Sequence, residues 1–552
     1  MSRFFYSRNS NFVRINIKKH KGYAHECLYF SRMRILKKIL IAVAALAVLL
    51  LLVNKGVNIW VNRKLPELLS DKNKTAYHIA YDSIKIDVWD GSIKVKGIRL
   101  TPKKAVKDTV NKAGIYARIE SVEVKDFSSM AVLFSNKIKA RSITVNKPEI
   151  VFYKKTDNAM NSSKSIGSEV VKPFESIVTV SDLYLNHGDV KIIYVKNNKP
   201  VLNAANINIK LEGITVSDDI LKRTIPFDYK TYSFSCDSLY FKNNAVYHIK
   251  AKNIQTETNG LSLKDFEMVP EMTRRQFVAY TPIEKDLYTL KAAGLDIRKM
   301  DWGFKDGKLY FSADALVLDK VNANIYRSKE PVDRPTPTHL YNRMLRDVTF
   351  PLRVDTLKLK DSDIVYEEEI SFEKGPGKIS FNKFNLTALN IKSDEGHDKM
   401  ADVKIRMHCL FMNASPMKVD WNFNVLDKTD GFNIKGSILN FNIKNLVSFT
   451  KNYSNMMQEG VFDEVYFNIN GNDIESKGEF AMKYHDVKVA LYKKKDPNKK
   501  NKLKTAIANL LVKNDSKDKV KNVAVSVKRN PKTSFYNFFW LNIQEGLKKI
   551  LI

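Results

Sequence analysis

Strict alternation of apolar and polar residues constrains this chain more than any other feature. Ile84-Lys85-Ile86-Asp87-Val88 and Ile93-Lys94-Val95-Lys96 alternate on either side of Asp90-Gly91, which reads as a hairpin turn. The same pattern returns at Ile207-Asn208-Ile209-Lys210-Leu211, Leu357-Lys358-Leu359-Lys360, Tyr466-Phe467-Asn468-Ile469-Asn470 and Val523-Ala524-Val525-Ser526-Val527. A period of two sends alternate side chains to opposite faces of a sheet, so these stretches predict strands with one apolar face and one wet face. Few stretches show helical spacing. The expected class is all-β, with few short helices.

The strands recur in tandem. IESVEVKDFSSMAVLFSNKIKARSITVNKPEIVFYKK at 119–155 aligns with AGLDIRKMDWGFKDGKLYFSADALVLDKVNANIYRSK at 293–329, so that Val122 falls on Leu295 and Tyr153 on Tyr326. Both pairs lie 173 residues apart (295 − 122, 326 − 153). VSDLYLNHGDVKIIYV at 180–195 aligns with VDTLKLKDSDIVYEEE at 354–369, with Leu183 over Leu357. Each of these second blocks follows a Pro-containing linker, Ser162–Glu175 in one copy and Glu330–Pro351 in the other. A repeated β unit that cannot close its own core stacks into an extended array. The expectation is therefore an elongated, curved, repeating antiparallel sheet. Its units are 77–219 and 232–392, followed by a C-terminal β region at 400–533. Ile86, Val95, Ile143, Ile192 and Ile209 are the candidate residues of its apolar face. That face must be covered by a second sheet, giving a closed sandwich, or must line a groove for something that is not protein.

Ahead of the strands, Ile39–Val61 reads ILIAVAALAVLLLLVNKGVNIWV, and its first fifteen residues are all apolar. A helix needs ~20 apolar residues to cross a bilayer, so this segment predicts a single transmembrane anchor. A buried helix and a cleaved secretory signal are the alternatives, although no small-x-small cleavage site follows the run. Arg32, Arg34, Lys37 and Lys38, with further basic residues upstream, make 1–38 a basic cytoplasmic segment and place the rest of the chain outside the cytoplasm. MRILKKIL, beginning at Met33, looks like an ordinary start for such an anchor.

Charge narrows the partners. The chain carries 92 Lys and Arg against 60 Asp and Glu, a formal net charge of +32, which suits anionic lipid or another polyanion. Export disfavours nucleic acid. The lysines are spread along alternating strands, as expected of a solvated face. Three cysteines make no disulfide scaffold, and only a pairing of Cys236 with Cys409 arises as a possibility.

No catalytic constellation is present, and neither cofactor nor metal is expected. The nine histidines are dispersed, with no HExxH, and no GxSxG occurs. Gly375-Pro376-Gly377-Lys378 approaches the end of a phosphate loop, but Phe372 and Ile379 stand where Gly and Ser/Thr are needed. Glu367-Glu368-Glu369 on one strand must alternate faces and reads as a solvated edge.

The chain ends on SFYNFFWLNIQEGLKKILI, a predicted amphipathic helix over 534–552. Phe535, Phe539 and Trp540 make it a candidate for a membrane interface, and a helix capping the β body is the other reading.

The anchor, GSIKVKGIRLTP, SITVNKPEIVFYKK, the paired LYLNHGDVKIIY and LKLKDSDIVYEE, and the terminal SFYNFFWLNIQEGLKKIL together resemble the AsmA-like family. The form is similar to the long, lysine-rich Bacteroidetes-type members. The resemblance implies a protein held in the inner membrane of a Gram-negative bacterium, with its bulk in the periplasm and a repeating β-groove related to bridge-like lipid-transfer proteins. It implies binding of phospholipid acyl chains by residues such as Ile86, Val95, Ile143, Ile192 and Ile209, in support of lipid transfer or outer-membrane biogenesis. An outer-membrane or periplasmic protein partner is possible on this reading. A non-enzymatic envelope scaffold with a closed body is the alternative.

Overall fold

Alternating Ile, Val, Leu and aromatic residues favour a pleated, half-buried backbone. The computed structural model carries that preference through most of the chain. It describes residues 77–552 apart from 88–89, 104–111, 127–137, 156–177, 216–227, 243, 306–307, 333–336, 394–398, 448, 451–455, 494–495, 501–503 and 505–511. The basic segment 1–38 and the apolar segment 39–61 lie outside the described residues. Among those described, no helix is long and apolar enough to cross a membrane.

The first strands are β1 (Tyr77–Ala80), β2 (Ser83–Asp87), β3 (Ser92–Pro102), β4 (Gly114–Lys125), β5 (Ile138–Lys154), β6 (Val178–Tyr194), β7 (Pro200–Glu212), β8 (Thr231–Lys242), β9 (Tyr247–Glu257) and β10 (Gly260–Pro270). There follow β11 (Asp286–Arg298), β12 (Asp301–Lys305), β13 (Lys308–Asp319), β14 (Asn322–Ser328), β15 (Leu352–Glu369), β16 (Gly377–Lys392), β17 (Val403–Phe411) and β18 (Ser415–Phe423). The last are β19 (Phe432–Asn442), β20 (Met456–Gly471), β21 (Glu475–Lys493), β22 (Asp496–Lys500) and β23 (Lys521–Lys528).

All belong to one sheet. Both β1 and β2 pair with β3, and from there to β11 each strand pairs with the next in sequence. Strand β11 pairs with both β13 and β14, which act as two halves of one interrupted strand and both pair with β15. Sequential pairing resumes to β21, and β23 lies beside β21.

The sheet is mixed, which corrects the expectation of a purely antiparallel one. Strand β5 runs parallel to β6, and β13 and β14 run parallel to β15. The reason lies in the connections. A hairpin is closed by two to five residues, whereas parallel neighbours need a crossover of a dozen or more. Residues 155–177 and 329–351 provide those crossovers, and they contain the two Pro-bearing linkers.

The repeat is visible in the hydrogen-bonding register. Val122 faces Val145 and Leu295 faces Leu318, both pairs displaced by 173 residues (295 − 122, 318 − 145). Ile143 faces Leu183 and Leu316 faces Leu357; Ile150 faces Val190 and Ala323 faces Ile364.

Three core clusters form among the described residues. The first joins apolar residues of β3 to β9, from Ile93 to Ile254, with Tyr77, Ile79, Tyr81 and Ile84 packed against it. The second joins residues of β17 to β23 with two helices, α2 (Tyr341–Arg346) and α3 (Phe535–Leu551). A short α1 (Arg274–Tyr280), begun by a Thr273–Gln276 capping box, packs Phe277 on Leu287 and Tyr326.

Helix α3 starts where the Ser534 hydroxyl accepts from the Asn537 N–H at 3.2 Å. Phe535 stacks on Trp421 with centroids 4.6 Å apart and planes 8° apart, and Phe539 meets Phe467 edge-on at 5.2 Å. Gly546 lets the helix lie against Phe480, because a Cβ there would come within 2.3 Å of the ring. The buried Asn542 accepts from the Ser476 hydroxyl at 2.9 Å and donates to the Phe538 carbonyl at 2.9 Å. Of the three interface candidates, Phe535 and Phe539 turn inward and cap the β body. Trp540 stays outside, 49% exposed beside Tyr536 at 65%. The aromatic cluster looked uniform in sequence, but helical spacing divides it between two faces.

Candidate functional site

The site is built on the apolar face of the sheet, and the two copies present that face differently. In the first copy Val122, Ile143, Val145, Leu183, Leu185 and Ile209 are all buried, Ile143 and Val145 completely. Their register equivalents in the second copy are Leu295, Leu316, Leu318, Leu357, Leu359 and Leu386. All six are half-buried, and none belongs to a core cluster. The first copy closes its apolar face and the second leaves it partly open.

Four of the five apolar-face candidates fall in the closed region. Val95, Ile143 and Ile209 are buried members of the first cluster, and Ile192 packs against it half-buried. Ile86 pairs in register with Ile93 on the β2–β3 hairpin. The half-buried leucines were legible as apolar-face residues through the repeat, but their exposure was not. Period two assigns a side chain to a face and says nothing of what covers it.

Charged and phenolic groups gather where β11 begins and β14 and β15 end. Asp286 faces Arg327 across β11–β14, and Arg327 faces Glu368 across β14–β15. The Arg327 guanidinium grips Asp286 as a fork, Nε to Oδ1 at 2.6 Å and a terminal nitrogen to Oδ2 at 2.8 Å, and meets Glu284 at 3.2 Å. Lys329 also reaches Glu284, at 3.0 Å. Tyr288 donates to Asp286 at 3.1 Å and Tyr366 donates to Glu368. Burial, reinforced by these carboxylates, raises both phenols well above their usual range. Burial alone would lower the Arg327 pKa, but Asp286 outweighs it and raises it.

The opposite face at this end corrects the reading of Glu367-Glu368-Glu369 as a solvated edge. Glu367 and Glu369 are 2% and 4% exposed. Glu367 is held by Arg274 of α1 and by Lys378 at 3.0 Å, and Glu369 accepts from Tyr326. Alternation was read correctly, but α1 covers the face on which the two outer glutamates lie. Burial pushes the Glu367 pKa up, but Lys378 and Arg274 prevail and hold it below the usual carboxylate range. A depressed folded value means this carboxylate stabilises the fold above about pH 4.5, its ordinary value, and loses that contribution as pH falls through the folded value. Acid unfolding followed by circular dichroism should therefore show a shallower loss of stability below pH 4.5 in Glu367→Gln than in the parent chain.

A line of irregularities crosses the sheet through the middle of its strands. Lys147 (φ 46°), His187 (φ 55°) and Asn206 (φ 52°) adopt left-handed backbone on β5, β6 and β7. Their counterparts in the second copy, Lys320 (φ 48°), Asp361 (φ 43°) and Lys383 (φ 47°), do the same. The pairing shifts register at these points on β6–β7 and β15–β16, which marks His187, Asn206, Asp361 and Lys383 as β-bulges, whereas it keeps constant register through Lys147 and Lys320.

Among the described residues no group of His, Cys, Asp or Glu is arranged to hold a metal ion. Cys236 and Cys409 are both buried free thiols, not a disulfide, and burial raises the pKa of each, that of Cys409 to about 11. Among the described residues the arrangement offers an apolar surface and a charged end. Comparison of the chain with models of known protein families and with curated proteins finds no match.

Proposed function

We propose that this protein binds lipid acyl chains on the half-buried apolar face of its second repeat. In this reading the segment 39–61 anchors the chain in the inner membrane of a Gram-negative cell envelope, with the β body in the periplasm, and the protein supports lipid transfer to the outer membrane or its biogenesis. The observation that carries the proposal is the contrast between repeats: Leu295, Leu316, Leu318, Leu357, Leu359 and Leu386 are only half-buried where their equivalents are buried. An acyl chain laid across them gains about 0.8 kcal/mol for each methylene removed from water. The resemblance to the AsmA-like family supports the same reading, and the excess of lysine suits anionic head groups.

The test is native mass spectrometry, with organic extraction, on protein isolated from a Gram-negative envelope and exchanged out of detergent. Phospholipid retained in at least equimolar amount supports the proposal. A stable, monodisperse and lipid-free chain rejects it. The complete burial of Ile143, Val145 and Leu202 in the first repeat favours a second reading in that case, a closed scaffold that positions a partner at the cell envelope.

A further inference from the structure

The apolar residues of β3 to β9 come from one sheet, yet they bury one another. A single flat sheet cannot do this, because its face looks in one direction only. The sheet must curve, and bending its strands is one way that brings the two walls of the apolar face together.

The bulge line supplies the means, and its chemistry is duplicated. In the first copy the His187 N–H donates to Asn208 Oδ1 at 3.0 Å, and the Asn206 N–H donates to Asp189 Oδ1 at 3.0 Å. The Asn208 amide donates to the Asn206 carbonyl at 3.2 Å. In the second copy the Asp361 N–H donates to Asn385 Oδ1 at 3.1 Å, and the Lys383 N–H to Asp363 Oδ1 at 3.3 Å. The Asn385 amide donates to the Lys383 carbonyl at 2.9 Å. Three bonds recur with the same donors and acceptors, although the left-handed residues differ: His187 and Asn206 in one copy, Asp361 and Lys383 in the other. What repeats is the pair of acceptors, an Asp on one strand and an Asn on its neighbour. These side chains replace the ladder bonds that a bulge removes, and a bulge bends its strand and increases its twist.

We infer that the row of left-handed bulges is a crease along which the sheet folds into a trough, and that Asp189–Asn208 and Asp363–Asn385 are the latches that hold it folded. On β5 and β7 the core-facing positions change parity at the crease. Among the members of the first core cluster, those nearest the crease on β5 are Ile143 and Val145 before Lys147 and Ile150 after it; those on β7 are Leu202 and Ala204 before Asn206 and Ile207, Ile209 and Leu211 after it. The left-handed residue on each strand, accompanied by an extra residue on β6, β7, β15 and β16, restores the inward direction on the far wall. In this way both walls keep their apolar residues inside.

The inference deepens the proposed acyl site, since the second latch lies on β15 and β16 beside Leu357, Leu359 and Leu386. Its test reads the crease apart from lipid. Spin labels are placed at Pro351→Cys and Ile370→Cys, just outside the two ends of β15, in the full chain with its native cysteines replaced by serine. Pulsed dipolar spectroscopy then measures the distance between the walls, and hydrogen exchange follows the Lys383 amide. Asp363→Ala should lengthen and broaden that distance and speed Lys383 exchange on the order of tenfold, the effect of losing one well-made hydrogen bond. Asp363→Asn, which keeps the acceptor oxygen, should retain the parent distance. Faster Lys383 exchange with an unchanged distance in Asp363→Ala would overturn the inference. If Asp363→Ala does not fold, Asn385→Ala, which removes the partner acceptor, must widen the same distance or the inference fails. Binding of a fluorescent fatty acid, measured in parallel, separates the readings: a widened trough with no fatty-acid binding in the parent chain keeps the crease and rejects the acyl site.

Discussion

Val145→Asp should unfold the β body, whereas Leu318→Asp, at the equivalent register position, should leave it folded and remove acyl-chain binding. The two residues occupy the same place in the repeat, opposite Val122 and Leu295 respectively. Val145 is 0% exposed inside the first core cluster. A carboxylate placed there has neither water nor a partner, and must either ionise in an apolar surround or fold protonated and unpaired. With the lost apolar contacts, the expected cost is about 4 kcal/mol or more, in the range seen only for severe core changes. Leu318 is only half-buried, so its carboxylate can stay hydrated and should cost about 1 kcal/mol. Urea unfolding separates these two outcomes. Binding of a fluorescent fatty acid to folded Leu318→Asp then addresses function. Equal destabilisation by both substitutions would mean that the second repeat is closed as tightly as the first, and the acyl site would be abandoned.

Arg327→Met is the second large expected effect. Arg327 is the forked partner of Asp286 and also touches Glu284, and the side chains of these acids are 13% and 10% exposed. Removing it leaves Asp286, among the described residues, accepting from Tyr288, while Glu284 keeps Lys329. Breaking a buried pair from one side costs about 3–5 kcal/mol, because the remaining charge stays desolvated. Replacing both partners, as in Arg327→Met with Asp286→Leu, should recover most of that loss, since no unpaired charge is then buried. A thermal unfolding series of the parent, the single and the double variants checks this. If the single variant is as stable as the parent, Asp286 is reached by solvent or by another cation, and the cluster is a surface network.

How much of this was legible follows from what each signal measures. Alternation at Ile93-Lys94-Val95 or Leu357-Lys358-Leu359 reports backbone period and face, both local properties, so the strands and the all-β class follow from the chain alone. The offset that carries Val122 to Leu295 comes from the sequence too, and it reappears in the pairing register. The bulges were hidden because His187, Asn206, Asp361 and Lys383 share no residue type. Their acceptors Asp189, Asn208, Asp363 and Asn385 sat in view, but as ordinary polar positions.

Tertiary structure decided the rest. Strand direction at β5–β6 and β14–β15 depends on where a crossover brings the chain back, which the expectation of an antiparallel sheet did not include. Phe535 and Trp540 lie five residues apart on one helix, and only docking on Trp421 buries the first and leaves the second exposed. Glu367 is buried because α1 lies over it, ninety-three residues away in the chain from its partner Arg274. Val145 and Leu318 obey the same pattern and occupy the same register, yet one is sealed and the other half-open. Periodicity is set by neighbours along the chain, whereas burial is set by whatever folds back from far along it. The sequence therefore determined the apolar face, and only the tertiary structure decided where that face is accessible.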